Sequence, residues 1–246
     1  MSRSDKEWGH VVPTWSPPYA PGPYFMESWE GVLVEFEVPR EQIDFLTPAP
    51  LQAADHNRLF AVIVDACQLP HSMFYHEALI LQEVTFNGTR GFHIPYIWTS
   101  TDTAMLVGRE VYGMPKMMCD DGRLQIFGNE IFGDLKRHGK SMMETAVIID
   151  EKATLADFPD LSSWIMVRHI PTPDPNYPAR RQVIHAGVSD VELLSAWKGR
   201  GWLRMGYPST SGLHKLNTDK PLRGVYGKLK WVLHEARILE EVEYNP

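Results

Sequence analysis

Gly108-Arg-Glu-Val-Tyr-Gly-Met-Pro-Lys-Met-Met118 sets one lysine, Lys116, directly after Pro115 and among Met114, Met117 and Met118. The nearest charges in sequence, Glu110 and Asp120, lie on either side of that apolar wall. An ammonium is ordinarily a solvated surface group. A lysine framed in this way either snorkels, its stem covering methionine while its head reaches water, or is buried. Burial disfavours the ammonium and leaves a neutral amine able to attack a carbonyl carbon.

Outward from this stretch the chain reads mostly as strands. On the N-terminal side, residues 74–83 and 91–99 flank Asn87-Gly88, the strongest short hairpin signal. Residues 59–67 form an apolar, β-branched run, and residues 30–38 alternate Val32, Val34, Phe36 and Val38 against Leu33, Glu35 and Glu37. Two short helices are expected: residues 39–46, with Pro39 in the first turn, and residues 102–111, with Asp102 as N-cap and Met105 and Leu106 inward. On the C-terminal side, strands are expected at 123–127, 130–137 and 141–149, with turns at Gly128-Asn129 and His138-Gly139. Further strands are expected at 164–170, 182–191, 201–205 and 231–244, with a proline-rich loop at 171–178. Residues 1–24 carry five prolines and four aromatics and read as an extended arm, either packing on a surface or a neighbouring subunit or remaining a loose tail. Residues 25–246 read as a single domain of α+β, mainly β, type. The pattern alone leaves an antiparallel barrel and a sandwich both open.

Composition narrows the functional classes. The chain has 246 residues, 43% hydrophobic, enough for a substantial core. Its net charge of −7, without a long basic run, argues against a nucleic-acid or anionic-membrane partner. Two cysteines, Cys67 and Cys119, offer neither a disulfide framework nor zinc spacing. The isolated histidines His169, His185 and His214 show no ligand spacing, so neither a metal nor another cofactor is expected. The first residues lack an apolar signal core and no run reaches the length of a membrane span, which makes a cytoplasmic location the expectation.

Read as a unit, Gly-Arg-Glu-x-x-x-x-Pro-Lys resembles the Schiff-base segment of the acetoacetate decarboxylase family. The resemblance extends to Gly22-Pro-Tyr24, Pro48-Ala-Pro-Leu51, Tyr75-His-Glu77 leading to Phe86-Asn-Gly88, Ala186-Gly-Val-Ser-Asp-Val191 and Ala196-Trp-Lys-Gly199. It implies a central antiparallel cone-like β-barrel with short surrounding helices, a homo-oligomer, and a nucleophilic lysine at Lys116. That family's lysine is itself a standard example of an amine activated by its surroundings, so the mechanism comes with the resemblance. Glu77 aligns with a glutamate kept near the lysine and is expected to transfer a proton or orient the substrate. His76, on the opposite strand face, is expected at the surface. Arg109 and Glu110 are expected to form a structural pair supporting the Lys116 loop.

Three departures separate this chain from the family's decarboxylases. Trp29 stands where they carry an arginine, Ala61-Val62 stands in the strand that holds a second glutamate, and Met117 replaces the lysine after the Schiff-base lysine. Trp29, Val62, Tyr96 and Met114 are expected to line a drier pocket, suited to a small-molecule keto acid or carbonyl compound with an apolar or aryl portion. A lysine Schiff-base lyase is therefore expected, making or breaking a C–C bond through an iminium and enamine. Pyruvate aldolase–dehydratase chemistry with an aldehyde acceptor and ordinary β-keto acid decarboxylation are its alternatives. A non-catalytic barrel binding an apolar carbonyl ligand is the alternative of a different class.

Overall fold

The alternating and β-branched runs become fourteen strands in one sheet in the computed structural model, which describes residues 11–69 and 73–244. In chain order these are β1 (Tyr24–Glu37), β2 (Gln52–Ala53), β3 (Arg58–Leu69), β4 (Met73–Phe86), β5 (Thr89–Thr99), β6 (Lys116–Met118) and β7 (Asp121–Phe127). They continue with β8 (Glu130–Arg137), β9 (Lys140–Lys152), β10 (Trp164–Ile170), β11 (Ala179–Ala186), β12 (Val188–Met205), β13 (Lys220–Leu233) and β14 (Arg237–Tyr244). The helices are α1 (Arg40–Leu46), entered from Pro39, and α2 (Asp102–Glu110). Asn87 and Gly88 both have positive φ, 48° and 79°, the geometry of the tight hairpin their sequence demands.

Hydrogen-bonded neighbours run β14-β11-β10-β5-β4-β3-β1-β13-β12-β9-β8-β7, with β2 on β4 and β6 on β5. Most pairs are antiparallel; β5 meets β6 and β10 in parallel. Strand pairing does not close the expected barrel among the described residues. β4 is paired with β2, β3 and β5, and β5 with β6 and β10, while β7 pairs with β8 alone and packs against β3 and β4. A Cβ placed on Gly122 of β7 would lie 3.3 Å from the His76 Cβ of β4.

The central strands are buried on both faces, which explains the continuous apolar run of β3. Val32, Val34, Ala61, Ile63, Ala78 and Ile80 belong to one core cluster; Leu33, Val62, Leu79 and Leu81 belong to a second on the opposite face. The candidate site lies on this second face. Residues 11–23 are irregular, as their prolines require, and the hydroxyl of buried Tyr19 donates to Glu110 at 2.5 Å. This part of the expected arm therefore packs on its own chain, while residues 1–10 lie outside the described residues.

Several boundaries differ from the sequence reading. Residues 182–191 divide at Gly187, where a Cβ would meet the Ser162 carbonyl oxygen at 2.0 Å. Residues 231–244 join the end of β13 to β14 across His234–Ala236. Most of β13 escaped detection because Pro221, Gly224 and Gly227 look like breakers. In the sheet the two glycines admit neighbouring side chains: Val147 closes on Gly224 and Phe158 on Gly227. In α2, Thr101 is the N-cap and Ala104, Val107 and Gly108 face inward; Met105 and Leu106 are only half-buried. Small residues are needed there because the helix lies against Tyr75 and the Lys116 stem.

One histidine is a core residue. His93 is buried, its Nδ1 donates to the Ile165 carbonyl at 3.3 Å, and desolvation lowers its pKa to about 4. The unfolded chain binds this proton near pH 6.5. Stability from the neutral buried ring is thus complete above pH 6.5 and is lost as pH falls towards 4, by up to about 3 kcal/mol. Denaturant titrations should show a steeper acid loss in the wild type than in His93→Gln. Parallel pH profiles would refute this assignment.

Candidate active site

Lys116 opens β6, whose parallel ladder sets Lys116 beside Ile97 and Met117 beside Trp98. The preceding loop is pinned by its own backbone: Met114 N–H donates to the Gly108 carbonyl at 2.9 Å, and Lys116 N–H to the Met114 carbonyl at 2.8 Å. Arg109 donates to the Lys116 carbonyl at 3.1 Å. Gly108 lets α2 approach the lysine closely, since a Cβ there would stand 2.5 Å from Lys116 Cδ and 2.6 Å from Cε. Any side chain at position 108 would force the lysine stem to shift. The expected Arg109–Glu110 pair does not form. Glu110 instead accepts the Tyr19 hydroxyl, and its carbonyl accepts from Arg168.

The stem does not snorkel to water. The Lys116 side chain is only 7% exposed, and its Nζ donates to Glu77 Oε1. Glu77 belongs to β4, opposite Val64 of β3 and Thr99 of β5, and is itself largely buried. The Tyr75 ring, two residues away on the same strand face, has its centroid 5.8 Å from Nζ. Burial, followed by the Glu77 charge, raises the Tyr75 hydroxyl pKa well above its usual value. His76 points the other way, as expected, and pairs with Asp121 at 2.8 Å and Asp65 at 3.6 Å while remaining partly exposed.

Lys116 and Glu77 open into a cavity of about 570 Å³. Trp29, Val62 and Met114 line it, together with Tyr75, Phe158 and Trp164. Lys116 is the sole cation among the described lining residues, and Glu77 and Asp160 are the carboxylates. Trp29 lays its indole over Gly31, where a Cβ would fall 2.4 Å from the ring. The place expected of an arginine is thus filled by a flat apolar surface.

Tyr96 is a correction. Its register partner is Ile80, on the opposite face of the sheet, and its ring stacks on Trp98 at 6.0 Å. The cause is the irregularity between Ile80 and Gln82 in the β4–β5 ladder, which sends Ile94 and Ile97 to the cavity and turns Tyr96 away. Met117 likewise projects from the other face of β6, onto the first core cluster, with its sulfur accepting from Arg137 at 3.4 Å. A cation at position 117 would therefore not stand beside the Lys116 amine. Cys119 is a core thiol, pushed up to about 12 by burial and then by the Glu77 charge. No group of three or more His, Cys, Asp or Glu residues able to hold a metal occurs among the described residues.

Sequence reading missed Tyr75, Gln68, Phe158, Trp164 and Trp231 as lining residues. Strand alternation from Glu77 was a usable signal for Tyr75. Nothing local marks the others, because they arrive from a separate strand or loop.

A family model described as acetoacetate decarboxylase matches residues 11–242. The acetoacetate decarboxylase of Chromobacterium violaceum is 25% identical over 204 residues, covering 79% of each chain. Among solved structures, an acetoacetate decarboxylase superposes with a TM-score of 0.87 at 20% identity, covering 97% of this chain and 99% of its own. The enduracididine biosynthesis enzyme MppR, complexed with the condensation product of pyruvate and imidazole 4-carboxaldehyde, gives a TM-score of 0.82 at 22% identity, covering 96% and 98%.

Proposed function

Since the chain belongs to the acetoacetate decarboxylase family, we propose that it is a lysine Schiff-base lyase for a keto acid with an apolar or aryl portion. The observation that carries this reading is the buried contact between the Lys116 amine and the Glu77 carboxylate at the wall of an apolar cavity.

The chemistry follows from that pair. Lys116 Nζ attacks the substrate carbonyl as Glu77 takes the amine proton; loss of the carbonyl oxygen as water leaves an iminium. The iminium accepts the electron pair of the breaking C–C bond, forming an enamine. Protonation at carbon, with Glu77 as the nearest acid, and hydrolysis of the imine then release product. Condensation with an aldehyde uses the same iminium, which becomes an enamine by losing a proton from the neighbouring carbon to Glu77 and then attacks the aldehyde carbonyl, so one site serves either reaction. The aldehyde condensation is the second reading. It is favoured by the aromatic lining beyond the amine and by the ligands of the MppR structures, pyruvate and a pyruvate–aldehyde condensation product.

The test is reductive trapping. Incubation with pyruvate or acetoacetate, followed by borohydride and peptide mass analysis, should add the reduced adduct to the peptide containing Lys116. A trapped mass on another lysine would discard the reading.

Plain acetoacetate is expected to be a poor substrate. A hydrogen bond to a charged group contributes about 1.5–3 kcal/mol, and the described lining offers no arginine to a small carboxylate. Each methylene buried against the indole and aliphatic wall contributes about 0.8 kcal/mol instead. Comparison of kcat/KM for acetoacetate, a phenyl-substituted keto acid, and pyruvate with and without an aromatic aldehyde decides the point. Faster turnover of acetoacetate than of every bulky candidate contradicts it.

Homo-oligomerisation remains part of the proposal, motivated by the family resemblance and the Pro/aromatic arm, which leaves Trp15 exposed. Light scattering at micromolar concentration should give a multiple of 28.1 kDa, and a monomer mass would contradict it.

A further inference from the structure

Two neighbouring glycines, Gly31 of β1 and Gly227 of β13, face each other in the ladder beneath the cavity. The Trp29 indole covers the first. The Phe158 ring covers the second, where a Cβ would lie 2.5 Å from Cζ. Phe158 reaches this notch from the segment between β9 and β10, which is anchored immediately before it. Asp157 accepts the Thr154 N–H at 2.9 Å, the Lys198 amine at 3.0 Å and an Arg223 N–H at 3.4 Å. Phe158 N–H donates to the Leu155 carbonyl at 3.1 Å.

Beyond this segment lies a second cleft of about 440 Å³, and Phe158, Pro159, Asp160 and Ser162 line both spaces. The cleft is not an anion site: Arg58 and Arg223 both bind Glu35, and Arg90 and His56 both bind Glu83. Arg223 also reaches Asp157 at 3.4 Å, so each guanidinium has a carboxylate to oppose it, and what the cleft offers is room.

We infer that Phe158, seated on Gly227, is the partition between the two spaces and sets the length of the apolar chain the site accepts. The inference rests on the proposed function only in taking the apolar cavity as the substrate's place. A chain growing away from Lys116 gains apolar contact until it meets the Phe158 ring. Removing the ring joins the cavity to the cleft and lets the chain continue across it. Trp29 covers the adjacent glycine on the same cavity wall; Phe158 sets the reach.

The test uses 1-alkanols from hexanol to tetradecanol, which carry no carbonyl and form no imine, so it reads the cavity independently of Lys116 chemistry. Binding is followed through the fluorescence of Trp29, Trp164 and Trp231, which line the cavity. Wild-type affinity should rise about fourfold per methylene up to a chain length at which it levels off. Phe158→Ala should move that limit at least two carbons longer, and Phe158→Leu should move it less. If circular dichroism shows that Phe158→Ala does not fold, the shift between Phe158→Leu and wild type decides. An unchanged limit in the folded variants overturns the inference. A failed borohydride trap with a shifted limit would leave Phe158 as the partition of a binding cavity and remove only the catalytic reading.

Discussion

Lys116→Ala should lose both the borohydride-trapped adduct and turnover, with kcat/KM falling on the order of 10⁴–10⁶-fold, the range seen when an enzyme's nucleophile is removed. The size of the effect follows from the electron sink. Without an imine, the electrons of the breaking C–C bond have only a neutral ketone to enter, and no other described cation lines the cavity to stabilise the resulting enolate. Folding should be spared more than activity. The lysine stem fills space beside Gly108, so alanine leaves a gap that costs some stability. The variant therefore needs a folded control by circular dichroism. An undiminished adduct in folded Lys116→Ala would exclude Lys116 as the nucleophile.

Glu77→Gln should lower kcat by about 10²–10⁴-fold, the usual contribution of a general acid–base group, while still allowing slow imine trapping. Glutamine keeps the size of the side chain and an oxygen for the lysine contact but cannot take up or return a proton. A merely structural Glu77 predicts the reverse pattern: a loss of stability with little change in kcat once the protein is folded.

The two losses differ in kind because the residues differ in reach. In the proposed mechanism Lys116 makes the covalent bond, and Glu77 acts on protons at that bond from β4, on the other side of β5 from β6. Their meeting depends on the short parallel ladder between β5 and β6, which sets Lys116 beside Ile97, while Glu77 pairs with Thr99 two residues further along β5. A three-residue strand after Pro115 is a small element, yet it fixes the position of Lys116.

Periods in the sequence were enough for the strands whose pattern is local. Alternation in residues 30–38, the run at 59–67 and the Asn87-Gly88 turn each specify their own backbone, and the hairpin follows from adjacent elements. The Lys116 segment and Glu77 were legible through motif resemblance, as was the dry character of the pocket from Trp29 and Val62. Tertiary structure decided what depends on distant partners. Tyr96 faces away because a ladder irregularity changes the strand's phase, which side-chain alternation alone cannot reveal. Most of β13 was illegible because Gly224 and Gly227 read as breakers in isolation; the tertiary structure uses them to admit Val147 and Phe158. Barrel closure likewise depends on which strand edges meet, a property of the assembled sheet. Local sequence determined which segments extend and which lysine is framed by apolar groups. Only long-range packing determined which ring from the segment before β10 lines the cavity, because Phe158 and Gly227 are brought together by contacts between distant parts of the chain.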